Sequence, residues 1–105
     1  MAYDTVGSHK TTIYHEGNHT CVKYHATDVV KFNDNEIILN SGGWHTNTTK
    51  MRMNQTSRQF GLRFNVYQKD FEWFVDYWYG NGPADYSNEQ FQTIEFFDGL
   101  TLKRG

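Results

Sequence analysis

Apolar and polar residues alternate with a period of two over most of the chain, the mark of strands that bury one face. Thr11 to Glu16 and His19 to His25 form one such pair about Gly17-Asn18, a two-residue connection suited to a hairpin. Asp28 to Asn33 and Glu36 to Ser41 form a second pair about Asp34-Asn35. Val30 and Phe32 share one face of its first strand, and Ile37 and Leu39 one face of its second. Further on, Leu62, Phe64 and Val66 alternate with Arg63, Asn65 and Tyr67. Phe71, Trp73, Val75 and Tyr77 then alternate with Glu72, Phe74 and Asp76, with Lys69-Asp70 as the turn. Gly80 to Asp85 holds the only proline, Pro83, and reads as a surface loop. Phe91 to Phe97 is again strand-like, Asp98-Gly99 is a tight turn, and Leu100 to Lys103 can pair back.

The alternation stops once, where a helix is predicted over Thr46 to Gln59. Its apolar stripe is thin: Thr49, Met53, Thr56 and Phe60, with Met51 beside it, while Asn47, Lys50, Asn54, Ser57 and Arg58 lie elsewhere on its surface. Threonine is also a mediocre helix former. A helix that breaks its local rule in this way either marks a functional site or is held on a sheet by two or three anchors, for which Met51, Met53 and Phe60 suffice. The predicted fold class is α+β: an antiparallel sheet built from hairpins, with one short helix (about 46–59) packed on a face. Residues 1–105 are expected to form a single domain, with 1–8 frayed. Val30, Phe32, Ile37, Leu39, Phe64, Val66, Trp73 and Val75 are expected to form its core.

Composition narrows the picture. The 105 residues suffice for one core, and with hydrophobic residues at 37%, eight Phe, seven Tyr and three Trp make that core largely aromatic. A net charge of −2 argues against a broadly basic surface and against wrapping of duplex DNA, so any anion site must be local. The single cysteine, Cys21, has no partner for an internal disulfide. Neither a signal peptide nor a membrane span is visible, which leads us to expect an intracellular chain with no membrane partner. The many rings and short strands leave edges that predict a homodimer or higher oligomer.

The run from Leu39 to Asn54 carries the candidate chemistry. It leaves a strand through Gly42-Gly43 and enters the helix with threonine hydroxyls, Lys50 and Arg52, a layout that aims backbone N–H groups and positive charge at an anion. The candidate ligand-binding residues are Trp44, His45, Thr46, Thr48, Thr49, Lys50, Arg52 and Asn54. Amides near Thr46 to Thr48 would supply fixed donors, Lys50 a mobile charge and Arg52 a planar fork, with Trp44 and His45 bordering the rest of the ligand. The same residues also fit a plain structural role, in which the glycines permit the turn, Thr46 caps the helix and the basic residues form its solvated face.

These residues carry a resemblance. The segment Leu39 to Asn54, the strand Val66-Tyr67-Gln68 followed by Trp73 and Val75, and Phe97-Asp98-Gly99-Leu100-Thr101 resemble small, uncharacterised proteins of tailed bacteriophages. The match runs from about Asp28 to Leu102. Its most specific element is a Gly-Gly-Trp-x-Thr-x-Thr-Thr-Lys-x-Arg-Met-Asn block, with His45, Asn47 and Met51 at the open positions. The resemblance implies a viral origin, an accessory role in the infected cell and a place in the host cytoplasm, and it transfers no activity.

Other chemistries fare less well. His19, Cys21 and His25 share a strand face, but they lack a familiar metal-ligand spacing, so no metal and no cofactor is assigned. No catalytic residue is assigned either, since nothing in the sequence would lower the Cys21 thiol pKa or orient a base beside it. Three classes remain. The first is a non-enzymatic binder of a nucleotide, an immune signal molecule or a nucleic-acid phosphate, acting against host defence. The second is a protein-binding inhibitor of a host enzyme or defence complex that uses aromatic loops as its interface. The third is a small phosphodiesterase with His45 as acid or base.

Overall fold

The computed structural model describes residues 10–104; the expected fraying of 1–8 lies outside them. Four strands come first: β1 (Thr11–Glu16), β2 (His19–Tyr24), β3 (Thr27–Phe32) and β4 (Glu36–Leu39). The helix α1 (Asn47–Phe60) follows, and then β5 (Phe64–Lys69), β6 (Glu72–Trp78), β7 (Phe91–Glu95) and β8 (Leu100–Lys103). The class is α+β, as the alternation implied. The strands divide between two antiparallel sheets, a five-stranded one in the order β1-β2-β3-β4-β8 and a three-stranded one in the order β5-β6-β7. The chain returns to the first sheet at its end, where Leu100 and Leu102 stand opposite Leu39 and Ile37.

All eight expected core residues are buried, together with Val22, Val29, Met53, Leu62, Phe96, Leu100 and Leu102. Val29 and Val30 are both buried although adjacent, because the β2–β3 register slips between Val22 and Lys23 and leaves Val29 as a bulge. The slip returns Asp28 to the opposite face, where its carboxylate accepts a 2.6 Å hydrogen bond from the Tyr14 hydroxyl.

The β5–β6 turn falls one residue later than expected. Lys69 pairs with Glu72, so Asp70 and Phe71 form the two-residue connection, both with positive φ (53° and 68°) as the twist of a tight hairpin requires. Phe71 therefore leaves the strand face assigned to it and stands 94% exposed.

The polar helix has a structural explanation. Besides setting Thr49, Met53 and Thr56 into the core, α1 runs along the edge of β5 that β6 does not cover. There the Asn54 side chain receives the Val66 N–H (2.7 Å) and donates to the Val66 carbonyl (2.9 Å). The Ser57 hydroxyl does the same for Phe64, at 3.0 and 2.7 Å. One turn earlier, Lys50 Nζ donates to Gln68 Oε1. Polar side chains thus stand in for a neighbouring strand and close an edge that would otherwise invite pairing.

Candidate functional site

The loop from Asn40 to Thr46 is built on its own side chains. Asp98 Oδ1 accepts from both the Ser41 N–H (2.8 Å) and the Ser41 hydroxyl (2.7 Å). The Gly42 N–H donates to Asn40 Oδ1, and the Gly43 N–H to the Ser41 hydroxyl. Burial alone would raise the Asp98 pKa, but the Ser41 donors, His45 and the Gly43 N–H together hold it below its ordinary value. The amides of the Gly-Gly turn are therefore already taken up by Asn40 and Ser41, and Ser41 in turn by the Asp98 carboxylate.

Gly42 has a second duty. Its φ is +64°, and a Cβ there would stand 2.1 Å from Thr27 Oγ1, so only glycine lets this loop sit against the start of β3. Gly43, at φ +85°, has nothing within 4 Å of a built Cβ. The close seat at Gly42 brings Trp44 alongside the β2–β3 turn. Tyr24, His25, Ala26, Trp44 and Thr46 line a pocket of about 370 Å³. His25 takes a left-handed backbone conformation (φ 57°), and its ring stands edge-on to Tyr24 with centroids 4.4 Å apart.

The helix starts at the rim of this pocket. Thr46 is the N-cap, and its hydroxyl accepts from the Thr49 N–H. Asn47 and Thr48 occupy the first helical positions, whose amides have no carbonyl within a helix to bond. The first turn carries no acidic residue. On the far side of the helix a shallow groove of about 470 Å³ runs past Asn47, Thr48, Lys50, Met51, Asn54, Val66, Tyr67 and Gln68. Lys50 Nζ lies 5.3 Å from the centroid of the Trp73 ring, against which the His45 ring stacks at 4.6 Å.

The residues proposed from sequence thus fall into two groups. Trp44, His45, Thr46, Thr48 and Lys50 surround the helix start, and Trp44 is 64% exposed. Thr49 is buried, and Asn54 is engaged with β5. Arg52 is 6% exposed and turned inward: its Nε–H donates to Thr11 (2.9 Å), its Nη1 to Gln55 Oε1 (3.1 Å), and its guanidinium lies 5.6 Å from the centroid of Tyr24. The sequence joined none of Tyr24, His25 and Ala26 to this site, and His25, expected on the strand face of His19 and Cys21, lies in the turn beyond β2. Tyr24 ends β2, and His25 and Ala26 form the turn after it, 18–20 residues before Trp44, so only the close approach at Gly42 joins them to it.

Elsewhere the polar clusters are structural. Asp76, 3% exposed, accepts from Tyr67, Tyr86 and Thr93, and burial followed by this bond pushes the Tyr86 phenol up to about 12. Trp78 lies beneath Tyr86 and Phe91 and donates its indole N–H to the Asn88 carbonyl. Among the described residues no three His, Cys, Asp or Glu side chains gather as metal ligands. His19 bonds to Glu36, and burial, then Asp28, pushes the Cys21 thiol up, away from a reactive thiolate. No helix among the described residues is long and apolar enough to cross a membrane.

Residues 2–103 match the family model described as Kyanoviridae Gp96 protein, a bacteriophage family. No curated protein and no solved structure matches the chain.

Proposed function

The chain belongs to the Kyanoviridae Gp96 protein family, and on that premise we propose that this phage accessory protein is a non-enzymatic binder of a phosphate-bearing ligand, acting against host defence. The observation that carries the reading is the start of α1. Its first turn has no acidic residue, it opens between a pocket and a groove, and Lys50 stands one turn along. Peptide amides and the helix dipole favour an anion at such a point, and a lysine adds a mobile charge. The ligand's charged end accepts from Asn47 and Thr48 N–H and from Lys50, while Thr49, Arg52 and Asn54 brace the helix.

Titration calorimetry with ribose 5-phosphate tests this reading. Lys50→Ala should weaken binding by about 1.5–3 kcal/mol, the scale of a hydrogen bond to a charged group, and weaken the infection phenotype in parallel. Unchanged binding in the variant would contradict it.

A protein-binding inhibitor of a host enzyme or defence complex is the second reading. Phe71 supports it, being almost wholly exposed on a turn where a bulky side chain strains the backbone. Under that reading Phe71→Ser abolishes the infection phenotype and leaves the phosphate titration unchanged.

A further inference from the structure

Resting on the phosphate reading above, we infer that the pocket beside the helix start receives a planar aromatic ring, so that the ligand class is a nucleotide and not a sugar phosphate or free phosphate. The pocket carries the inference by its walls. Tyr24, His25 and Trp44 present rings, Ala26 leaves room between them, and the volume of about 370 Å³ falls within the range of small-molecule sites. Rings of this kind hold bases by stacking, whatever the base, because every base has a π-face. None of the lining residues is acidic, and Thr46 belongs both to the pocket and to the helix cap, so a ring seated here directs its attached phosphate toward the Asn47 and Thr48 amides.

Contacts within the fold anchor the backbone beside Trp44 and the ring of Tyr24. Gly42, pressed on Thr27, sets the Trp44 side, and on the other side Arg52 lies 5.6 Å from the Tyr24 ring while Thr11 and Gln55 hold its guanidinium. Arg52 is therefore a positioning residue. It does not line the pocket but packs against the Tyr24 ring, and a wall restrained before binding loses less freedom when the ligand arrives.

The test measures affinities for adenosine monophosphate, adenosine, ribose 5-phosphate and inorganic phosphate at one salt concentration. Calorimetry gives the affinities, and the part of the change in tryptophan emission that Trp44→Phe abolishes reports on the pocket. Adenosine monophosphate should bind about tenfold or more tightly than ribose 5-phosphate. Trp44→Ala should erase that gap while ribose 5-phosphate still binds, and Trp44→Phe should restore most of it. Arg52→Gln should narrow the gap without weakening ribose 5-phosphate, and an unchanged gap would overturn its positioning role. Equal affinity for adenosine monophosphate and ribose 5-phosphate overturns the aromatic pocket and leaves the phosphate reading standing. Adenosine binding as tightly as its monophosphate, with Lys50→Ala silent, overturns the phosphate reading instead. No binding of any of the four overturns both.

Discussion

Replacing Asn54 by leucine removes the amide that stands in for a strand beside β5 while keeping the side chain's branching and number of heavy atoms. In the native fold that amide receives the Val66 N–H and donates to the Val66 carbonyl. A buried backbone group left without a partner costs about 1–3 kcal/mol, and Asn54→Leu orphans two. The edge is half-buried, so water reaches part of it, and the expected loss is about 2–3 kcal/mol. Leucine is the better helix former by a few tenths of a kcal/mol, so intrinsic propensity works against the predicted direction and cannot produce it. At about 4–8 °C per kcal/mol for a domain of this size, the melting temperature should fall by about 8–24 °C. Urea unfolding followed by circular dichroism and by tryptophan emission gives the free energy, and an unchanged slope with denaturant assigns the loss to the native state. Ser57→Ala, at the buried end of the same edge, should behave alike. A stability within about 0.5 kcal/mol of wild type, the range of ordinary surface substitutions, would refute the view that polar helix side chains close this sheet edge.

Two further outcomes follow from the same geometry. Gly42→Ala should cost both stability and ligand affinity, because its methyl meets Thr27 at 2.1 Å, whereas Gly43→Ala meets nothing and should cost only the backbone strain of about 1 kcal/mol; equal losses in thermal melts of the two variants would contradict the close seat. Stability should also change at both ends of the pH scale. The Asp98 pKa is lowered on folding, so its contribution is present above 3.8 and is lost as pH falls through the folded value. The Tyr86 pKa is raised, so its contribution is present below 10.0 and is lost as pH rises through about 12. Asp98→Asn and Tyr86→Phe should each flatten their own limb of a pH–stability profile, and a limb that survives its variant would show that the group was misassigned.

Much of the fold was legible because the alternation is local. Val30 with Phe32 and Ile37 with Leu39 set the buried face of their strands, and Gly17-Asn18 and Asp34-Asn35 set their turns. The division into two sheets was not legible, since it depends on β8 reaching back to β4 across more than half the chain. Nor did the sequence reveal why α1 is polar. Helical periodicity shows which side chains share a face, and it does not show that Asn54 and Ser57 meet a strand edge and not water. Arg52 read as a surface cation because arginine is seldom buried; three specific contacts, with Thr11, Gln55 and Tyr24, hold it inside. The motif residues around the helix start were visible as a block, while the pocket's other wall at Tyr24 to Ala26 was not. A detectable signal did exist there: a glycine pair that serves no hairpin implies a close approach to something, although the sequence does not say to what.

The most direct measurement is an amide-proton and nitrogen NMR titration of the whole protein with adenosine monophosphate at fixed salt. Saturable shifts are expected at the Asn47 and Thr48 amides, at the Trp44 indole N–H and at Ala26, with ribose 5-phosphate moving the first pair alone. Shifts confined to other surfaces, or none at millimolar nucleotide, would contradict the nucleotide reading.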